Sequence, residues 1–409
     1  MTSKSAKSPL IVIFFTVFLY LAGFGLIIPI LPLLGKELGG SAKEIGMLMA
    51  VYSLMQFVFA PMWGRLSDCY GRRPILLFCL FGEALTYIWF AYSRDFGSLF
   101  AARAFAGFFG ASISTASAYV SDITTESERS KGMALIGAAF GLGFIVGPAL
   151  GGGLIAISAY FSTDPYAGSQ FAALFVAFLY GVTFYFAYGF LTESLPPEKR
   201  RIKKPRIEQP LRLPLTSRLG NPVLTLLITL FFFLSVSIAM METTLVLLVN
   251  EKFGWPVDII SYGFAYVGFI MVIAQGFLVP RLLPSSGERL LSLLGLGMLG
   301  LGMLGIASAQ GIFGLLGATT FLALGCGFAT PALMGSISLV SSEQEQGTNL
   351  GVAQSASSLG RIVGPVLGGF LYDSWAAEAP FAVAALIAFL GALIIISLFQ
   401  RLPNSGKSA

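Results

Sequence analysis

Charged residues are so sparse along this chain that they divide it into uncharged runs, each long enough to cross a bilayer. Lys7 to Lys36 bounds one run and Glu44 to Arg65 a second. Arg73 to Arg94 bounds a third, interrupted only by Glu83, and Asp95 to Asp122 a fourth, interrupted only by Arg103. Lys131 to Asp164 and Asp164 to Glu193 follow, and then a polar stretch carrying Pro196, Pro197, Pro205, Pro210 and Pro214. Beyond it, one run starts at Pro222 and holds Glu242, and another lies between Asp258 and Arg281. The long run from Arg289 to Glu343 contains its own break, Ala307-Ser308-Ala309-Gln310-Gly311. Two more lie at Gly347–Leu371, with Arg361 inside, and at Phe381–Leu398. A spanning helix needs about 20 apolar residues, so the runs amount to twelve helices. The residues are 56% hydrophobic and only 11% charged, whereas soluble chains carry about 25% charge. A soluble enzyme, a disordered chain and a disulfide scaffold are all excluded. The expected fold is an all-α membrane protein with a six-helix bundle over residues 1–192, a linker over 193–219 and a second bundle over 220–409.

The basic residues orient these helices. With the N-terminus in the cytoplasm, the outside receives only Lys36, Lys43, Arg94 and Lys252 of the 25 Lys and Arg, and the membrane holds Arg103 and Arg361. The rest fall inside, as the positive-inside rule requires. Both termini are therefore expected in the cytoplasm, and the first span is expected to be retained, since no short apolar core with a cleavage site precedes it. The basic linker segment Lys199-Arg200-Arg201-Ile202-Lys203-Lys204 is then explained by topology and attraction to anionic membrane lipids, with no nucleic-acid partner. No histidine occurs, so proton handling falls to carboxylates, with tyrosine as a further option. Cys69, Cys79 and Cys326 stand far apart, which suggests neither a metal site nor a disulfide framework. No cofactor is expected. No phosphate-binding G-x-x-x-x-G-K-S/T loop occurs, so energy must come from an ion gradient or from the substrate's own gradient.

The two halves share a repeat. Gly143-Phe144-Ile145-Val146-Gly147-Pro148-Ala149-Leu150-Gly151-Gly152 recurs as Gly360-Arg361-Ile362-Val363-Gly364-Pro365-Val366-Leu367-Gly368-Gly369. Each copy lies in the fifth helix of its half. Glu126 and Glu128 match Glu343 and Glu345 at the same spacing, and Gly71-Arg72-Arg73 is echoed by Gly287-Glu288-Arg289. Two pseudo-symmetric six-helix halves in parallel register are one plan of secondary transporters.

Several segments carry a family resemblance. Gly64-Arg65-Leu66-Ser67-Asp68-Cys69-Tyr70-Gly71-Arg72-Arg73 resembles the loop signature of the major facilitator superfamily, with Cys69 where a base is usual. Arg103-Ala104-Phe105-Ala106-Gly107 resembles the fourth-helix signature, and the segment 143–152 resembles the fifth-helix antiporter motif. With Ser121-Asp122-Ile123-Thr124 and Gly25-Leu26-Ile27-Ile28-Pro29, the pattern is similar to the drug:proton antiporter branch, tetracycline exporters and tetracycline-transporter-like proteins above all. The usual acid set is rearranged: Tyr20 stands where those exporters carry an acid, and Glu83 lies one turn before Thr86, where their third helix carries another. The resemblance implies that Asp68 latches the two halves, and that Gly64, Gly71, Arg72, Arg73, Arg129, Gly143, Gly147, Pro148, Gly151, Gly152, Gly364 and Pro365 serve conformational change. Arg72 and Arg73 are expected to hold the loop at the lipid headgroups. The alternatives are that the bases set topology alone and that the glycines serve packing alone.

Glu83, Arg103, Glu242 and Arg361 lie inside the membrane. A charge at a helix centre costs about 2.5–3.5 kcal/mol on insertion scales, so such groups face partners or a cavity. Glu242 is expected to carry the coupling proton, with Glu83 as the second acid. Arg103, Arg361, Tyr20 and Glu242 are the candidate substrate contacts. Structural pairing of Glu83 with Arg103 and of Glu242 with Arg361 remains the alternative. The expected function is export of amphipathic, drug-like or metabolite molecules in exchange for protons by a monomer in the inner membrane. An uncoupled organic-anion or lipid transporter of the same fold is the alternative, and a non-transporting receptor or channel a more distant one.

Overall fold

The computed structural model describes residues 7–123, 142–143, 145–164, 166–196, 198, 200, 221–342 and 345–398. Among these the chain is helical: α1 (Lys7–Glu37), α2 (Ala42–Tyr70), α3 (Arg72–Tyr92), α4 (Phe96–Gly110) and α5 (Ile113–Ile123) are followed by α6 (Ile145–Ser158) and α7 (Ala167–Phe190). The later helices are α8 (Pro222–Phe253), α9 (Val257–Ile273), α10 (Val279–Ser308), α11 (Ile312–Val340), α12 (Gln346–Ser374) and α13 (Ala379–Leu398). Among the described residues nine helical stretches are long and apolar enough to cross a membrane. Each of the twelve runs read from the charge gaps contains a helix. The fourth run differs from expectation, because it is split into α4 and α5 at Ala111–Ser112.

The split is supported from α2. Trp63 Nε1 donates to Phe108 O at 2.7 Å, and Gln56 Nε2 donates to Gly110 O at 3.2 Å. Carbonyls freed at membrane depth need such partners, and nothing in the sequence of the fourth helix announces that its own neighbour supplies them. At the other helix ends local chemistry is more legible. Asp95 caps α4 by accepting from Ser98 N at 2.8 Å, and Asn221 caps α8 ahead of Pro222. Gly254 closes α8 in the left-handed conformation.

The residues group into two units, Met1–Gly40, Val51–Pro210 and Pro256–Ala265 in the first, and Ser41–Ala50, Leu211–Trp255 and Tyr266–Ala409 in the second. In the first unit α3 packs on α4 and α7, and α1 packs on α5 and α7, around a core that includes Leu26, Ile27, Leu31, Tyr119 and Tyr180. In the second, α8 packs on α12 and α13, and α10 packs on α11 and α13. Gly295, Gly302 and Gly325 leave no room for a Cβ between α10 and α11, the small-residue contact of membrane helices. Large apolar side chains such as Phe178, Leu301 and Leu393 remain exposed, which suits helices solvated by lipid.

The weak echo between the halves is a backbone fact. Gly71 has φ 106 and ψ 157, and Gly287 has φ 69 and ψ 170. Both angles lie in a region that only glycine occupies without strain, so Gly71 separates α2 from α3 and Gly287 kinks α10 into two helical pieces through the same glycine-dependent conformation.

Candidate functional site

Helical spacing brings one acid and one base to the interior of the first unit. On α3 the buried face runs through Leu76, Cys79, Glu83, Thr86, Tyr87 and Phe90, the three-and-four periodicity of a packed helix. On α4 the buried face comprises Leu99, Ala102, Arg103, Ala106, Gly107 and Gly110. Glu83 is 3% exposed and Arg103 2% exposed. The charge of Arg103 reaches Glu83, yet Glu83 Oε1 and Arg103 Nε and Nη2 have no hydrogen-bond partner. The guanidinium lies instead over two rings, 4.1 Å from the centroid of Tyr52 and 5.5 Å from that of Phe24. Gly107 makes this approach possible, since a Cβ there would run into the Tyr52 backbone. Tyr87 stacks on Tyr180 with centroids 5.5 Å apart, and Gly23 lets its hydroxyl come up against α1. A cavity lined by Thr16, Cys79, Glu83, Ser112 and Tyr180 opens on the acid. A second, lined by Ile27, Thr86, Tyr87, Ala102 and Arg103, opens on the base.

Desolvating an ion costs several kcal/mol unless hydrogen bonds and a close partner offset it. An acid and a base held near one another with unused bonding capacity are therefore poorly explained as a device for stability. They suit a site where a proton or an anionic group comes and goes.

In the second unit Glu242 on α8 and Arg361 on α12 are both half-buried, and the charge of Arg361 reaches Glu242. The repeat motif fixes the helices that carry them. Gly360, Gly364 and Gly368 leave no room for a Cβ against α8 between Phe232 and Thr244, and Ser235 and Ser357 share a hydrogen bond of 2.7 Å. The first copy does the same work on α1: Gly143, Gly147 and Gly151 lie against Leu21, Ala22 and Leu26. Each copy thus seats the fifth helix of its half on the first. Pro148 and Pro365 are buried beside these glycines, and Gly152 meets the backbone of Asp258 and the side chain of Ser261.

The loop signature forms a bonded knot at the end of α2. Arg72 Nη1 lies 2.6 Å from Asp68 Oδ1 and donates to Ser67 Oγ at 2.6 Å, while its Nε lies 3.1 Å from Asp122 Oδ2. Glu193 accepts from the first amides of α3, Arg72 N at 2.8 Å and Arg73 N at 3.3 Å, where a carboxylate is favoured by the helix dipole. A Cβ on Gly71 would collide with that carboxylate. Arg73 donates to Tyr188 O at 2.7 Å and lies over the Tyr188 ring. Arg72, expected at the headgroups, is buried instead, because three oxygen groups inside the knot take up its donors. Gly64 has open space where a Cβ would sit. Tyr20 falls in α1 with its side chain outside the described residues, and Arg129 lies outside them altogether. Tyr52, Tyr87, Tyr180 and Glu193 are site residues that the sequence did not single out. Glu193 had a signal, as the first acid after the sixth helix; the tyrosines had none.

Comparison with known proteins places the chain in a family. The family model described as Major Facilitator Superfamily matches residues 13–307 and 276–409. The class H tetracycline resistance protein of Pasteurella multocida is 31% identical over 396 residues, covering 96% of either chain. Among solved structures, the human organic anion transporter MFSD10 (TETRAN) superposes with a TM-score of 0.68 at 27% identity, covering 97% of this chain and 100% of its own. A bacterial homolog of the human lysosomal transporter Spinster gives a TM-score of 0.78 at 11% identity, covering 98% of both chains, and shares the fold.

Proposed function

The chain belongs to the Major Facilitator Superfamily and is a multi-pass membrane transporter rather than an enzyme; from that premise we propose that it exports amphipathic small molecules in exchange for protons. The observation that carries this reading is the buried acid and base of the first unit, in which Glu83 Oε1 and Arg103 Nε and Nη2 have no hydrogen-bond partner. With no histidine in the chain, a carboxyl group is the proton carrier in this reading. Glu83 is the better candidate than Glu242 because it is 3% exposed and lines a cavity of its own. Ionised, Glu83 attracts Arg103; protonated, it releases the guanidinium to its aromatic partners. Glu242 and Arg361 provide the second pair, where substrate and proton compete. The knot around Arg72 and the two glycine motifs serve the alternation between inward and outward access. The protein works as a monomer in the inner membrane, with both termini and the basic linker at the cytoplasmic lipid surface.

A second reading has its own support. The free Nε and Nη2 of Arg103 suit a carboxylate or phosphate of the substrate, and the solved relative at 27% identity is an organic anion transporter. Proton movement separates the two. In proteoliposomes containing a pH-sensitive dye, addition of a cationic amphiphile should move protons opposite to the substrate. Transport of an organic anion without any proton flux would favour the second reading.

A further inference from the structure

The first turn of α2 is capped from two directions, one local and one 330 residues away in sequence. Locally, Ser41 and Glu44 form a reciprocal capping box. Glu44 N donates to Ser41 Oγ at 3.3 Å, and Ser41 N and Oγ donate to Glu44 Oε2 at 2.8 and 2.9 Å. The amides of Ala42 and Lys43 have no partner within the helix. They donate to Asp373, Ala42 N to Oδ1 at 3.2 Å and Lys43 N to Oδ2 at 2.8 Å. Both oxygens of one carboxylate therefore hold the positive end of α2 from the last turn of α12. Two glycines bring the backbones together, for a Cβ on Gly369 would meet Ala42 O and a Cβ on Gly46 would meet Pro365 O. The Ala42 side chain is buried in the contact.

This attachment has consequences because α2 is divided. Ser41–Ala50 groups with the second unit and the remainder of the helix with the first, although α2 is continuous from Ala42 to Tyr70. Relative motion of the units must either bend α2 near Ala50 or free its start. Helices bend sharply at proline, glycine or an inserted turn; Gly46 is itself held against the Pro365 carbonyl, Pro61 lies eleven residues beyond Ala50, and Met47–Ala60 between them contains neither proline nor glycine. Release at Asp373 is the path of least resistance. The repeat shows that the carboxylate is not demanded by the fold: at the equivalent place in the first copy the residue is Ala156.

We propose that Asp373 is a releasable latch on the start of α2, stabilising one of the states of the transport cycle; the proposal rests on the alternating-access reading above. It can be tested on the full-length protein in proteoliposomes, with Cys69, Cys79 and Cys326 replaced by alanine and Ala42→Cys as reporter. The probe is a membrane-impermeant maleimide. Asp373→Ala should raise the labelling rate about threefold to tenfold, the range expected when a charge is removed from a helix terminus. Asp373→Glu, which keeps the carboxylate, should stay within about twofold of the parent. Tyr372→Phe removes the neighbouring bond to Glu251, 2.7 Å long, and should leave labelling unchanged. If Asp373→Ala does not fold, Asp373→Asn preserves the shape and gives the same comparison. Unchanged labelling in the folded variant, or an equal rise in Tyr372→Phe, would overturn the latch. Counterflow by the parent in the same vesicles reports separately whether the chain transports at all.

Discussion

The guanidinium of Arg103 sits 4.1 Å from the ring centroid of Tyr52, with Nε and Nη2 unbonded. A cation held by aromatic faces keeps its hydrogen-bond donors available, which a closed ion pair would not. The stacking supplies about 0.5–2 kcal/mol, enough to hold the base and too little to forbid its movement. Tyr52→Phe keeps the aromatic face over the guanidinium and should hold more of the parent's transport than Tyr52→Leu. Tyr52→Leu should lower thermal stability in detergent by about 0.5–2 kcal/mol and shift the pH profile of transport. A Leu variant with unchanged profile and stability would show that the ring only fills space.

Arg72 should prove more important to stability than any other residue of the loop signature. Its removal strands Asp68 and Asp122 together, since its Nη1 and Nε reach one each at 2.6 and 3.1 Å. The carboxylates are partly solvated, so the expected loss for Arg72→Ala is about 1–3 kcal/mol. Asp122→Asn removes one partner and should slow transport while leaving equilibrium binding of a fluorescent amphiphile within about twofold. Binding that disappears with transport intact would contradict this.

The glycine motifs make a graded prediction. Gly147 faces the backbone of Ala22, and Gly364 faces that of Val236, with no room for a methyl group. Either glycine changed to alanine should cost about 1–3 kcal/mol by overpacking, read as a lower unfolding temperature. Gly181 lies within α7 with nothing within 4 Å of its missing Cβ. Gly181→Ala should be neutral or stabilising by up to about 1 kcal/mol.

Glu242 and Arg361 should behave as a coupled pair. Arg361→Gln leaves an acid without its countercharge, and Glu242→Gln leaves an arginine without its acid. The double variant should be milder than the sum of the two, as interacting charges require. Substrate binding across pH in a double-mutant cycle measures this. Strictly additive effects would make Arg361 a direct substrate anchor or a structural charge.

The all-α plan and its repeat were legible because the bilayer imposes them: uncharged runs, basic flanks and small-residue motifs are written residue by residue. Glu83 and Arg103 could be picked out for the same reason, as charges where charge is expensive. Their surroundings could not. Tyr52 meets Arg103 only because Gly107 brings α4 against α2, and Gln56 and Trp63 matter only because α4 ends at Gly110. Glu193 caps α3 across 121 residues, and no local pattern encodes such a partner. The loop signature suits Arg72 to the lipid headgroups, whereas the knot formed by Asp68, Ser67 and Asp122 buries it.

Uphill transport by Glu83→Gln tests the central claim most directly. Proteoliposomes holding the parent or the variant are given an imposed pH gradient, and accumulation of a labelled amphiphile is followed against its own gradient. The parent should accumulate substrate and dissipate the pH gradient in step. Glu83→Gln should exchange substrate downhill yet neither accumulate it nor move protons. Accumulation by the variant at the parental rate, with parental proton flux, would contradict the assignment of the coupling proton to Glu83.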